Sequence, residues 1–357
     1  MSEKKFRPGV LWGDEVHELF AYAREKGFAL PAVNVTGTNT VNAVLEAARD
    51  VNSPVIIQFS NSGAQFFIGK TVKNENQASA IAGAIAGGLY VHEAAKAYGV
   101  PVVLHTDHCS KKIIKWVDGL VSYGEDFYKK NGYPLFSSHM LDLSEEPLEE
   151  NIAISKEFLA RMEKLGMTLE IELGVTGGEE DGVDNTHVEK EKLYTQPSEV
   201  AYAYEQLKQV SDNFTVAAAF GNVHGVYKPG NIKLEPKILR DSQQYIQEKF
   251  NTDPNPVDFV FHGGSGSSTE EIREAIGYGV IKMNIDTDMQ WAFWDGINLY
   301  QKEKSGYLQG QIGNPEGGDS PNKKYYDPRV WLRKGEESMV ARLKQSFDDL
   351  LATNALG

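Results

Sequence analysis

The stretch Pro101-Val102-Val103-Leu104-His105-Thr106-Asp107-His108 runs apolar first and then turns polar at its C-terminal end. A near-continuous apolar run, without strict alternation, belongs to a parallel strand covered on both faces. Seven other β-type runs lie at 28–35, 54–60, 135–141, 168–174, 215–222, 258–264 and 280–286. Segments of helical spacing separate them. Apolar residues fall at 41, 44, 45 and 48 in one segment, and Ile113, Ile114, Val117, Leu120 and Val121 form a second stripe. Segments 152–165, 197–210, 236–250 and 269–278 continue the series. Strand then helix, eight times over, predicts a closed (β/α)8 TIM barrel. An open doubly wound sheet is the rival. Eight strands are many for it, and no Gly-x-Gly-x-x-Gly turn follows the first strand.

The 357 residues suit one large α/β domain spanning 1–357, with the barrel core at about 28–300 and a C-terminal helical extension over 301–357. A barrel of this class needs about 250 residues, which leaves room for insertions. Two regions exceed an ordinary connection. One is a long loop after strand 5, 174–197, with Gly177-Gly178-Glu179-Glu180-Asp181-Gly182. The other is the tail, with a Gly/Pro/Asn-rich loop at 313–322 and a helical segment at 336–350. Loops of that length are usually functional or disordered. The first directly follows a strand end, which favours function.

Formal net charge is −14, which argues against a nucleic-acid surface but not against a small phosphate ligand. The single cysteine, Cys109, rules out an internal disulfide and fits a reducing compartment. The N-terminus lacks the apolar core of a signal peptide. Segment 78–91 is apolar but short and rich in Ala and Gly, so it reads as a helix packed tightly on a sheet and not as a membrane span. A cytoplasmic location is the expectation.

Polar residues gather at strand ends, which in a barrel converge on one mouth. Of eight histidines, His108, His224 and His262 end apolar runs. One such histidine is more often a satisfied packing residue; three at the same end point to a metal, with Glu172 as a further ligand. Alternation puts Glu170 and Glu172 on one face, where they need a cation, a basic partner or the wet mouth. Alternation also puts Asp107 and His108 on opposite faces, so both reach the mouth only if the strand has ended or twisted by His108. Cys109 reads as a small buried residue opening the next helix, with a soft metal ligand as the alternative, and His105 and His139 read as packing residues or as supports behind the ligands. The stretch His262-Gly263-Gly264-Ser265-Gly266-Ser267-Ser268-Thr269 precedes a helix and forms a candidate phosphate cradle. Lys228 adds a charge nearby. Glu179 and Glu180 sit among glycines on the loop after strand 5, where a carboxylate can move a substrate proton.

Together, Thr106-Asp107-His108-Cys109, Glu170-Ile171-Glu172-Leu173-Gly174, Gly221-Asn222-Val223-His224-Gly225, Phe261-His262-Gly263-Gly264-Ser265 and Asn284-Ile285-Asp286-Thr287 resemble the class II fructose-bisphosphate aldolases. The likeness runs through Thr176–Gly182 and the tail Asn322-Lys323-Lys324-Tyr325-Tyr326-Asp327-Pro328-Arg329-Val330, and so covers essentially the whole chain. The resemblance implies a lyase of glycolysis and gluconeogenesis that reversibly splits fructose 1,6-bisphosphate into dihydroxyacetone phosphate and glyceraldehyde 3-phosphate. It implies Zn2+ on His108, His224 and His262, with Glu172 near or on the metal. Asp107 would act on the C4 hydroxyl or the aldehyde oxygen, and Glu180 on the α-proton of dihydroxyacetone phosphate. Gly225, Gly263, Ser265, Asn284, Asp286 and Thr287 would line one phosphate end. Asn34, Ser60 and Lys228 would position the sugar or its phosphate. Arg329 would reach the second phosphate, across the interface of a homodimer. Carbonyls of Val223, Gly225 and Gly263 would hold a monovalent cation, K+ or Na+. A tagatose-bisphosphate aldolase is the nearest alternative, and a non-catalytic phosphosugar-binding barrel is the alternative of another class.

Overall fold

The computed structural model describes residues 5–180, 183–184, 193–224, 234–264 and 267–357, with the backbone alone at 178–180, 183–184 and 224. The eight expected strands are all present: β1 (Leu30–Asn34), β2 (Val55–Phe59), β3 (Pro101–Thr106), β4 (Ser138–Leu141), β5 (Thr168–Leu173), β6 (Phe214–Ala218), β7 (Phe259–Phe261) and β8 (Val280–Ile285). All neighbours pair in parallel, and β8 returns to β1 through Lys282↔Leu30 to Ile285↔Val33, so the sheet closes on itself. The fold is therefore an α/β barrel of eight parallel strands, with extra helices beyond its core. The closed sheet also disposes of the open-sheet alternative.

The β3–β4 seam is short, with His105↔Ser138 and Thr106↔His139 in register. Here the N-terminal strand Gly9–Val10 contributes, pairing with Pro101 and Val102. Ser137 Oγ donates to Leu11 O at 2.6 Å and accepts from Leu104 N at 2.9 Å, which ties the N-terminal stretch to both sides of the seam.

Helices cover the outside. Ala78–Tyr98 carries the small-residue run and packs on the short helix Asn61–Ile68. A Cβ on Gly83 would lie 1.8 Å from Ala64 O, and one on Gly87 would lie 2.4 Å from the Phe59 ring. Gly83 lets the two helix backbones touch, and Gly87 makes room for the Phe59 side chain of β2, as expected for a helix pressed on a sheet. The final helix, Pro328–Asp349, begins earlier than the expected 336–350, because Asp327 caps it and Pro328 suits its first turn. It packs on Thr287–Glu303 and Thr38–Asp50.

Two expectations of irregular loops need correction. Residues 313–322 overlap a hairpin, Ile312–Asn314 against Gly317–Pro321. In the long connection after β5, Gly177–Glu180 pairs in parallel with Val223–His224 and antiparallel with Val183–Asp184. Backbone pairing stabilises both segments, and apolar periodicity is blind to it.

Candidate active site

Strand β3 sets the geometry. Asp107 N still donates to Phe59 O at 2.8 Å, so Asp107 follows the ladder. His108 then leaves it, with φ +43 in the left-handed region. That turn removes the conflict between alternation and function: both side chains now reach one site. A non-glycine residue pays about 1–3 kcal/mol for such a conformation, and strained residues of this kind cluster at functional sites. Asp142 at the end of β4 helps to hold it. His108 Nδ1 lies 3.1 Å from Asp142 Oδ2, while Asp142 Oδ1 accepts from Ser144 Oγ at 2.7 Å. Burial, the largest single effect, would raise the Asp142 carboxyl, but the His108 contact and the Ser144 donors together hold the group well below the usual range.

With Nδ1 directed at Asp142, His108 turns Nε2 toward His262, 2.9 Å from its Nδ1. Ligand atoms of Asp107, His108 and His262 all lie within 4.8 Å of one another, as do those of His108, Asp142 and Glu172. Glu172 accepts from Thr176 Oγ1 at 2.8 Å through Oε1, whereas its buried Oε2 has no hydrogen-bond partner among the described residues and lies 3.5 Å from His108 Nδ1. Burial, followed by the nearby Asp142 charge, pushes the Glu172 carboxyl above its ordinary range. A buried oxygen without a donor, beside converging imidazole nitrogens, fits a divalent cation.

Glu170 faces the interior with Glu172, as alternation requires, but it meets a different partner. Lys282 Nζ donates to Glu170 Oε2 at 2.7 Å, with both residues nearly fully buried. Asp107 is oriented by neutral amides. Asn284 Nδ2 donates to Oδ1 and Asn34 Nδ2 to Oδ2, each at 3.0 Å. Gln58 in turn donates to Asn34 Oδ1 at 2.6 Å.

The remaining expected residues are placed as follows. Ser60 caps Asn61–Ile68 by accepting from Gly63 N. Gly263 has φ +60, and a Cβ on Gly264 would lie 2.1 Å from Met283 Cε. Asp286 accepts from Gln290, and Thr287 opens its helix. Arg329 is 89% exposed and paired with Asp327 within the chain. Val223 is paired with Gly177. The side chains of His224, Glu179 and Glu180, and all of Gly225, Lys228 and Ser265, lie outside the described residues.

Cys109 is buried and its thiol is pushed up to about 12 by burial, so it is a packing residue. His105 and His139 are fully buried against Ser138 and Thr106. Sequence reasoning missed Asp142, Thr176 and Asn222. Asn222 donates to His262 O at 2.9 Å and to Thr176 Oγ1 at 3.3 Å. Asp142 directly follows an apolar run, so the strand-end signal was available for it. Asn222 closes the apolar run at 215–222 and carried the same signal, whereas Thr176 lies three residues beyond Leu173 and did not.

A closed parallel barrel with imidazoles and carboxylates at its strand C-termini defines a metal-dependent barrel enzyme. Residues 14–355 match the family described as "Fructose-bisphosphate aldolase class-II". The chain is 63% identical over 351 residues to the fructose-bisphosphate aldolase of Haemophilus influenzae, covering 98% of each chain. It is 60% identical over 351 residues to the class 2 enzyme of Escherichia coli K12, again covering 98% of each. A crystal structure of the Campylobacter jejuni aldolase superposes with a TM-score of 0.89 at 58% identity, over 98% of this chain and 97% of that one. The chain belongs to the class II fructose-bisphosphate aldolase family.

Proposed function

We propose that this protein catalyses the reversible aldol cleavage of fructose 1,6-bisphosphate to dihydroxyacetone phosphate and glyceraldehyde 3-phosphate. The observation that carries the reading is the cluster of Asp107, His108 and His262 within 4.8 Å, with Glu172 Oε2, unpartnered among the described residues, beside it. His108, His224 and His262 would hold Zn2+, and Glu172 stands where it can join or leave that set. Bound there, the cation would polarise the substrate ketone. Asp107, fixed at both oxygens by Asn34 and Asn284, handles the proton of the C4 hydroxyl. Glu180, on the connection after β5, handles the α-proton of dihydroxyacetone phosphate. Backbone and hydroxyl groups of Gly225, Gly263, Ser265, Asp286 and Thr287, with Lys228 and Ser60, form the phosphate and sugar contacts. The carbonyls of Val223, Gly225 and Gly263 are suited to K+ or Na+.

Arg329 is almost fully exposed within one chain. We read it as serving the second phosphate of the partner in a homodimer. No helix among the described residues is long and apolar enough to cross a membrane. We read the protein as one domain acting in the cytoplasm, in glycolysis and gluconeogenesis.

Chelation should abolish cleavage, and Zn2+ or Co2+ should restore it. Assay of the reloaded enzyme on both ketose bisphosphates should give faster turnover of fructose 1,6-bisphosphate. Full activity of metal-free protein, or preference for the tagatose isomer, would overturn the reading.

A further inference from the structure

Beneath the cluster lies a chain of polar groups that starts at a buried lysine and ends on the cluster's histidines. Lys282 is the one lysine in the eight barrel strands, and it is 3% exposed. Its Nζ is 2.7 Å from Glu170 Oε2, and Glu170 Oε1 is 2.7 Å from His262 Nε2. His262 Nδ1 completes the sequence, 2.9 Å from His108 Nε2. His105 Nε2 lies 3.4 Å from Glu170 Oε2 and has no hydrogen-bond partner among the described residues, so it does not substitute for the lysine.

We propose that Lys282 is a positioning residue for the metal: through Glu170 it fixes the tautomer of His262, so that His262 binds the cation through Nδ1. This rests on the assignment of His262 as a ligand. An ionised carboxylate can only accept hydrogen bonds, so the proton in the Glu170–His262 contact is carried by Nε2. The neutral ring then presents its lone pair at Nδ1, toward His108. A carboxylate this deep needs a cationic partner, and Lys282 supplies it. Without the ammonium, nothing pins Glu170 Oε2 at 2.7 Å, and the carboxylate is free to turn its Oε1 away from Nε2. The ring then loses the acceptor that keeps its proton on Nε2 and its lone pair at Nδ1. The arrangement belongs to the general class in which a carboxylate behind a ligating imidazole sets its orientation. Here a lysine across the barrel, on a different strand, sets the carboxylate.

The test measures metal affinity, not turnover. In Lys282→Met, competition against a zinc chelator should show binding weakened by about 10–100-fold, the usual effect of losing a group that orients a ligand. With saturating Zn2+, the KM for fructose 1,6-bisphosphate should stay within about threefold, because Lys282 does not touch the mouth. In Lys282→Met/Glu170→Gln, the buried negative charge is gone and the amide carbonyl still accepts from Nε2–H, so most of the affinity should return. A void left by the lysine stem would not be repaired that way. The unmodified holoenzyme gives an independent readout. Long-range 15N–1H correlation spectra of the imidazoles should show His262 protonated at Nε2 and metal-bound at Nδ1. Unchanged affinity in Lys282→Met, no recovery in the double variant, or metal on Nε2 would each overturn the proposal. Retention of metal by His262→Ala would instead overturn the ligand assignment, and the proposal with it.

Discussion

The barrel mouth is divided at the end of β3. His108 turns toward β4, β5 and β7, where it meets Asp142, Glu172 and His262, while Glu170 and Lys282 support His262 from below. Asp107 turns toward β1 and β8, where it meets Asn34 and Asn284. The first half is organised by charge and the second by neutral amides. A cation site needs negative groups and oriented lone pairs, and the ion pair below prevents the surplus carboxylate from competing. A group that handles a substrate proton needs a fixed pose without a permanent counterion. Two amide N–H donors fix both carboxylate oxygens and bring no full positive charge. The left-handed turn at His108 lets two adjacent residues serve both halves.

This division is broken most directly by removing one residue from each side. His108→Ala should lose its metal on dialysis, and cleavage should fall by more than the roughly 10²–10⁴-fold that one proton-transfer group contributes. Asp107→Ala should fall within that range and keep its metal, as measured by elemental analysis after gel filtration. If Asp107→Ala also came out metal-free, the two halves would be one site and the comparison would collapse.

A smaller effect is expected from the amides. Asn284→Ala removes one of two hydrogen bonds to the Asp107 carboxylate, an interaction worth about 1.5–3 kcal/mol for a charged acceptor. That corresponds to a fall in kcat of about 10–100-fold, with metal content unchanged. Asn34→Ala should act in the same direction, and Gln58→Ala less, because Gln58 reaches Asp107 only through Asn34. A loss of metal in Asn284→Ala, whose amide also lies 3.5 Å from His262 Nδ1, would place that residue in the charged half.

The difference between the halves also explains what could be read from the sequence. The barrel was legible because eight apolar runs and their helical spacers are local patterns, and parallel strands buried on both faces leave a strong signal. His108 and His262 were legible because polar residues are conspicuous at the ends of such runs. The backbone turn at His108 was not, since nothing in Asp107-His108-Cys109 marks a left-handed residue. The environment of Glu170 was not legible either. Its sequence context is nearly that of Glu172, and only the closure of β8 against β1, with β5 across the barrel, brings Lys282 to one and leaves an oxygen of the other without a donor among the described residues. The pairing of Gly177–Glu180 with Val223–His224 depends on backbone hydrogen bonds between distant segments, which side-chain patterns do not encode.

The smallest expected effect sharpens the contrast between ligand histidines and packing histidines. His139 on β4 is fully buried, with Nδ1 2.7 Å from Thr106 Oγ1, and burial lowers its pKa to about 3. In the unfolded chain it titrates near its ordinary value of about 6.5. Below that pH the unfolded chain takes up a proton that the folded protein refuses. The folded state thus loses stability as pH falls from about 6.5 toward about 3, at up to about 1.4 kcal/mol per pH unit for this one group. His105, His92 and His17 are also lowered, each chiefly by burial, and add to the same trend. His139→Gln keeps a polar partner for Thr106 but cannot titrate. It should cost some stability at pH 7 through imperfect packing, yet lose less than the parent protein on acidification. Urea unfolding of both proteins in chelator, between about pH 4 and 5.5, removes the metal from the comparison. The slope of stability against pH should be shallower in His139→Gln by about one proton. Parallel slopes would mean that His139 is protonated in the fold, and that the barrel interior tolerates an imidazolium where no carboxylate among the described residues pairs with it.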